Sequence, residues 1–308
     1  MKKNKILVIY FSTIALSILL AYALFLVSPA NVENQSVQTI VVEPGQGFRS
    51  VVEELRSAGV IRSRKAFLVY AALSGSAHRF KAGEYLIKPS LSTPEILRLL
   101  VSGPPPVLAT IVEGATLKEI DELLTRLEVF PTGSLIKLKP SQFVAEYPFL
   151  KNARSLEGFL FPDTYHFTRK SEPIAVAKKF LDNFNKKAQQ LLSTKNQLPI
   201  TNYQLLILAS LIEKEVSSHN DRLLVSGVLY NRLRISMPLQ VDVELWTYQN
   251  YGLPPEPIAN PGLSAIQAAL NPASTKYLYY LSDPKTQKTI FSETLDEHNE
   301  NKWQYLKK

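Results

Sequence analysis

The residues best placed to do chemistry lie at the end of an apolar run. Leu205 to Ile212 carries one hydroxyl, Ser210, and no charge; Glu213, Lys214 and Glu215 follow at once. Such a run predicts a helix buried on every side rather than an amphipathic one. At about 100° per residue, Glu213 falls on the Leu206 face, beside Leu205, Ala209, Ile212 and Val216. A carboxyl group among such neighbours loses hydration when it ionises, so its pKa rises. That is the condition for a general acid that keeps its proton near neutral pH. The same pattern fits a glutamate that begins the exposed end of a core helix and pairs with a lysine. Glu215 points about 200° away, so the two carboxyls cannot act as one dyad on this helix.

Other polar groups could join a site built on Glu213. Asn231-Arg232 ends the next helix, for which Asn220 or Asp221 is a candidate cap. Gln240 and Asp242 alternate with Leu239, Val241 and Val243, and share a face if that stretch is extended. Several other chemistries lack their residues. There is no cysteine, which excludes disulfides, thiol catalysis and cysteine-ligated metals. His78, His166, His219 and His298 are far apart and form no HExxH spacing, so no metal site and no cofactor are expected. GxSxG and phosphate-loop glycines are absent as well.

The elements that must position these groups follow from patterning. With 308 residues, 45% hydrophobic and 20% charged, the chain is ordinary globular material, long enough for two domains at ~100–200 residues each. Folded pattern begins at Thr39-Ile40-Val41-Val42, a β-branched run suited to a strand. Val51, Val52, Leu55 and Val60 then recur at helical spacing. Gly45, Phe48, Val51, Leu55 and Val60 match Gly114, Leu117, Ile120, Leu124 and Val129, so a strand, glycine turn, short helix and apolar exit are written twice. Units of that kind are common in modules that bind glycan chains. Pro94 to Leu100 predicts a helix with proline in its first turn, and Gly103-Pro104-Pro105-Pro106 a stiff break. We therefore expect a folded subdomain over 39–103 and a second domain over 107–308. In the latter, Pro173 to Leu192 predicts an amphipathic helix, 238–262 irregular chain or short strands, and 277–281 with 289–291 a hairpin. The mixture predicts an α+β fold.

The N-terminus sets the compartment. Lys2, Lys3 and Lys5 precede Ile6 to Val27, which is free of charge and as long as the ~20 residues that cross a bilayer. This reads as residues 1–5 in the cytoplasm, a membrane-spanning helix over 6–27, a polar linker over 28–38 that lifts the folded part off the membrane, and the bulk of the chain outside. A cleaved signal peptide is the competing reading, with Ala21-Tyr22-Ala23 as a small-x-small triplet. Three of the eight net positive charges are the N-terminal lysines. The remainder suits anionic lipid or an envelope polymer, and no nucleic-acid partner is expected.

Several blocks together resemble a known family, the endolytic murein transglycosylases. The segment Leu208 to Val216 resembles their catalytic helix. Leu156-Glu157-Gly158-Phe159-Leu160-Phe161-Pro162-Asp163-Thr164-Tyr165, Asn231-Arg232-Leu233, Leu239-Gln240-Val241-Asp242, Gly252 to Gly262, Ala268 to Pro272, Phe291-Ser292 and Glu297-His298-Asn299 agree in order. The likeness spans roughly 39–299. It implies a LysM-like first subdomain, a membrane anchor, and Glu213 as the single acid/base that cuts peptidoglycan between N-acetylmuramic acid and N-acetylglucosamine. The product would be a 1,6-anhydro-muramyl end on nascent strands, which ends their elongation. The resemblance makes Gln240, Asn231 and Tyr165 candidates for hydrogen bonds to sugar, with Asp242 on substrate or holding Gln240. It also implies single-pass residence in the cytoplasmic (inner) membrane, with peptidoglycan synthases or division proteins as possible partners. The chain departs from the family at 242–252. That stretch is short, Val243 stands where proline is usual, and Trp246-Thr247-Tyr248 replaces Asn-Thr-Tyr. This bears on strand-length preference or rate more than on reaction type. Two rivals remain on these residues: a non-catalytic peptidoglycan-binding scaffold, and a hydrolase that leaves reducing ends.

Overall fold

A computed structural model describes residues 2–193, 200–216, 218–286 and 288–306. The chain forms two compact units, Met1–Val107 with Thr168–Lys170, and Leu108–Phe167 with Ser171–Lys308.

The first unit begins with α1 (Lys2–Val27), followed by β1 (Gln38–Val42), α2 (Phe48–Ser57), α3 (Arg64–Leu73), β2 (Gly83–Ile87) and α4 (Thr93–Ser102). β1 and β2 pair antiparallel, Gln38 opposite Ile87 and Val42 opposite Gly83. The inward residues of this ribbon, Ile40, Val42, Tyr85 and Ile87, pack on Val51, Val52 and Leu55 of α2, Phe67 and Ala71 of α3, and Ile96 and Leu100 of α4. α4 starts as its sequence predicts: Pro94 lies in its first turn and Glu95 accepts from the Ser92 backbone N–H, a capping box. The linker is not the free spacer its composition suggested. The Arg62 Nε donates to the Pro29 carbonyl at 2.6 Å and the Asn31 N–H to the Pro89 carbonyl at 3.0 Å, so chain 28–38 is folded back onto the unit.

The second unit carries β3 (Val107–Thr110), α5 (Leu117–Arg126), β4 (Thr164–Phe167), α6 (Pro173–Phe184), α7 (Gln190–Leu192), α8 (Asn202–Glu215), α9 (His219–Arg234), α10 (Trp246–Gln249), α11 (Leu263–Leu270), β5 (Tyr279–Ser282), β6 (Thr289–Ser292) and α12 (Leu295–Leu306). β3 runs with β4, and β5 with β6 as an antiparallel hairpin. All sheets among the described residues are two-stranded and helices supply most of the core, so the α+β expectation holds. The written repeat is also a structural one. Gly45 and Gly114 both turn with positive φ, and the exit residues Val60 and Val129 donate to Leu55 and Leu124 at the ends of α2 and α5.

α8 is the central helix. Leu205 to Ile212 is buried throughout, as an all-apolar run requires. Thr201 caps its start, accepting from the Gln204 N–H. α11 lies against it through small residues; Ala265, Ala268 and Ala269 are fully buried, which lets the two backbones approach closely. Two local readings need correction. α9 begins at His219 with Ser218 before it, so Asn220 and Asp221 lie inside its first turn, and the Asp221 carboxylate accepts from the Thr289 hydroxyl instead. The stretch around Gln240 is not extended: Gln240 has φ +48, and the chain folds at once into α10.

Gly158 shows how tightly α8 is held. It has φ +87, and a Cβ there would lie 2.6 Å from the Pro257 ring and 3.3 Å from Leu206 of α8. Gly158→Ala is expected to cost about 2–4 kcal/mol, from the left-handed backbone and the overlap together. Thermal melting checks this; an unchanged midpoint would contradict the packing.

Candidate active site

Glu213 lies in the last turn of α8, one turn before the helix stops at Val216. Its side chain is only 4% exposed. Two donors from different elements reach its carboxylate. Arg222, in the first turn of α9, donates through Nη2 to Oε1 at 2.5 Å; the Gly262 N–H, at the start of α11, donates to Oε2 at 2.9 Å. Arg222 is itself held, because its Nε donates to the Val216 carbonyl at 3.0 Å. That carbonyl is one of those left unpaired where α8 ends, so a single guanidinium caps α8 and faces the acid.

The electrostatics pull both ways. Burial pushes the Glu213 carboxyl above the ordinary glutamate range, and Glu113 nearby pushes the same way. The Gly262 N–H, Arg222 and Lys214 pull it down, and burial wins. The negative end of the α8 dipole also disfavours the anion at this position. The net shift is therefore upward, against one backbone donor and two cations.

The backbone around the acid is fixed by a buried polar frame. Asn260 is fully buried. Its side-chain oxygen accepts from the Leu160 N–H at 2.8 Å, and its Nδ2 donates to the Ala115 carbonyl and to Glu157. Its backbone exchanges hydrogen bonds with Gly114 and Ala115. The Glu157 carboxylate accepts from the Leu117 N–H at the start of α5, at 2.9 Å to each oxygen. Burial drives its pKa up to about 7 against those donors. Ser210 of α8 accepts from the Ile258 N–H at 3.1 Å. Together these bonds bring 113–116, 157–160 and 258–262 to the C-terminal end of α8. A Cβ on Gly262 would fall 2.4 Å from the Glu113 side chain and 3.4 Å from the Glu213 carboxylate, so a larger residue there would have to push the exposed Glu113 side chain aside. Beside this frame lies an open pocket of about 320 Å³, lined by 110–115, Glu119, Ile120, Leu123, Arg126 and Lys214.

The other sequence candidates sit as follows. Asn231 is half-buried, and its amide donates to the carbonyls of Thr275 and Tyr277, so it braces the chain leading into β5. Tyr165 is buried in β4 among Phe167 and Phe180; its hydroxyl donates to the Phe161 carbonyl at 2.6 Å and accepts from Asn183. Gln240 and Asp242 are exposed on the loop before α10, where the Asp242 carboxylate accepts from the Tyr248 hydroxyl. That loop is tied to Glu215, which accepts from the backbone of Asp242 and Val243 and, at 3.0 Å, from the Tyr280 hydroxyl. Glu213 and Glu215 thus serve different neighbourhoods, as the helical wheel required. Among the described residues, none of these four candidates is a hydrogen-bond partner of the Glu213 carboxylate. Its actual partners, Arg222 and Gly262, and its neighbour Glu113 were not singled out from sequence. No metal-ligating group of histidines and carboxylates occurs among the described residues.

Comparison with known proteins gives one answer. Residues 40–245 and 246–304 match the profile of the YceG-like family. A Bacillus subtilis protein named endolytic murein transglycosylase is 31% identical over 92% of this chain and 89% of its own length. A Streptococcus pneumoniae protein of the same name is 28% identical over 91% of this chain, which spans 60% of that longer protein. A crystal structure of a YceG-like protein from Listeria monocytogenes superposes with a TM-score of 0.55 at 28% identity, covering 86% of this chain and 99% of that one. The matched residues run through both compact units and include every segment that frames Glu213, and on that ground the chain belongs to the YceG-like family.

Proposed function

We propose that the chain is an endolytic lytic transglycosylase that cuts the glycan strands of peptidoglycan between N-acetylmuramic acid and N-acetylglucosamine, with Glu213 as its one acid and base. The observation that carries this reading is a buried carboxyl held between a cation and a backbone N–H at the end of α8. The names of the Bacillus and Streptococcus relatives support the reaction class.

Most glycosidases need two carboxyl groups, the second to activate water or attack the sugar. In a transglycosylase the sugar's own C6 hydroxyl is the nucleophile, already tethered to the reacting ring. Such an intramolecular group can match effective molarities of about 10⁵ M or more, so no water has to be positioned. Glu213 protonates the departing glycosidic oxygen as the C1–O bond breaks. The carboxylate left behind is received by Arg222 and the Gly262 N–H, then takes the proton of the C6 hydroxyl as the 1,6-anhydro bond closes. Acid and base form are both used in one turnover, and opposed influences on one carboxyl suit that cycle. The pocket beside Lys214 is of a size to take one sugar residue; Gln240 and Asp242, on their exposed loop, remain candidates for polar contacts further along the strand. Asn231 and Tyr165 would act through the chain segments they brace.

A hydrolase is the second reading, and Glu113 is the observation that favours it, because it is a second acid packed next to Glu213 across Gly262. The products decide between the two. Purified full-length protein acting on uncrosslinked glycan is expected to leave 1,6-anhydro ends, seen by mass spectrometry as fragments with no water added. Reducing ends would assign the hydrolase, and unshortened glycan that sediments with the protein would assign a scaffold.

We further propose that α1 anchors the chain and that the rest lies outside the cytoplasmic membrane. Tyr10–Val27 is apolar enough to span a bilayer, and Tyr10 to Phe25 is exposed. The β1–α2–α3–β2 order of the first unit supports its reading as a LysM-like subdomain, and termination of nascent strands next to a synthase is the role that this placement suits.

A further inference from the structure

Helix α3 offers a surface that neither the core nor the active site uses. Its inner face, Phe67 and Ala71, is buried. On its outer face Lys65, Val69 and Leu73 recur at helical spacing and stand in the open, Val69 at 58% and Leu73 at 84% exposure. Val69 and Leu73 lie one turn apart, so one apolar surface could cover both. The position of α3 suggests what covers them. α3 packs against the end of α1. The Arg62 guanidinium, just before α3, lies 4.4 Å over the Phe25 ring and binds the Pro29 carbonyl, while Leu26 and Val27 become half-buried where Tyr10 to Phe25 is exposed. At 1.5 Å per residue, the 18-residue window Tyr10–Val27 covers about 27 Å, close to the ~30 Å hydrocarbon thickness of a bilayer. The last turn of α1 therefore ends at the far edge of the hydrocarbon, and a helix packed on that turn lies at headgroup depth.

We propose that α3 is a membrane-surface helix: Val69 and Leu73 enter the outer headgroup layer of the bilayer that α1 crosses, with Lys65, Arg62 and Arg64 among the lipid phosphates. This rests on the reading of α1 as a retained anchor. Cations at the start of α3 flank the aliphatic pair, and cations beside an anionic lipid surface add electrostatic attraction to apolar insertion. Glu53 is the acidic side chain at that end and already pairs with Arg64 at 3.0 Å. The folded-back linker gives the first unit little freedom to leave the surface. The unit is seated on lipid rather than carried on a loose tether.

The absence of cysteine makes the test direct, since any introduced thiol is unique. Full-length Leu73→Cys and Val69→Cys variants, labelled with an environment-sensitive fluorophore, are reconstituted into phosphatidylglycerol–phosphatidylcholine vesicles that carry a headgroup-proximal spin label. Glu43→Cys is the control, exposed at the end of β1 away from the linker. The label at 73 or 69 is expected to be quenched at least threefold more than the label at 43. Equal quenching at all three sites in chains that resist carbonate extraction overturns the docking and leaves the anchor intact. Loss of the chain from the vesicles in carbonate removes the anchor, and this inference with it.

Discussion

Glu213→Gln is expected to lower the release of anhydro-ended fragments by about 10²–10⁴-fold, the range that a positioned general acid contributes. The amide can still accept from the Gly262 N–H, so the packing of α8 against the start of α11 survives. Its NH₂ group would then face the Arg222 guanidinium, where a carboxylate oxygen now sits at 2.5 Å. Two donors opposed in a buried place cost about 1–3 kcal/mol, a dent in stability and not an unfolding. Circular dichroism and thermal melting of the same preparation separate the two effects. Near-native melting with product release abolished supports the assignment. Native-level release from Glu213→Gln would remove the acid from this position, and Glu113 would then be the next carboxyl to test. Glu215 is a poor substitute, since its carboxylate is spent on the loop before α10 and on Tyr280.

How much of this site could be read in advance differs from residue to residue, for physical reasons. α8 was legible because an all-apolar run predicts a helix buried on every side, and Leu205 to Ile212 is so buried, but the run alone fitted Glu213 equally as a dry acid or as the exposed end of the helix. Burial at 239–242 was also legible: Leu239 and Val241 are buried while Gln240 and Asp242 are exposed, as alternation demands. The backbone was not, because a residue at φ +48 can alternate without being a strand, and periodicity carries no sign of φ. Arg222 was hidden for another reason. It meets Glu213 across the break between α8 and α9, so the pair lies on no shared helical or strand period. Asn260 and Glu157 sat inside the segments that resembled the family, yet nothing local marks a buried asparagine that joins three loops. Asn231 and Tyr165 are polar residue types that can meet sugar, but their hydrogen bonds are made inside the protein.

The Arg222 guanidinium makes the reaction's pH dependence testable. Arg222→Met removes the nearest positive charge from a buried acid, so the Glu213 pKa rises further. Four influences then act on that carboxyl. Burial by α8 and Glu113 from the loop before α5 favour the acid form; Lys214 on α8 and the Gly262 N–H at the start of α11 favour the anion. The bond-breaking step needs the protonated form, so kcat/KM falls as pH rises through the Glu213 pKa. In Arg222→Met that alkaline fall is expected to move to higher pH. The maximal rate is expected to drop about 10–100-fold, because the carboxylate formed after proton transfer has lost its charged partner in a dry place, a loss of about 1.4–2.7 kcal/mol. Arg222→Lys should restore the position of the pH limb but only part of the rate. One ammonium restores the charge, yet it lacks the fork that reaches the Val216 carbonyl and Glu213 together. A merely structural arginine would lower stability and leave the limb where it was. A limb that stays fixed in both variants, with rates lowered alike, would mean that Arg222 does no more than cap α8, and that burial, Glu113, Lys214 and the Gly262 N–H set the proton affinity of the acid.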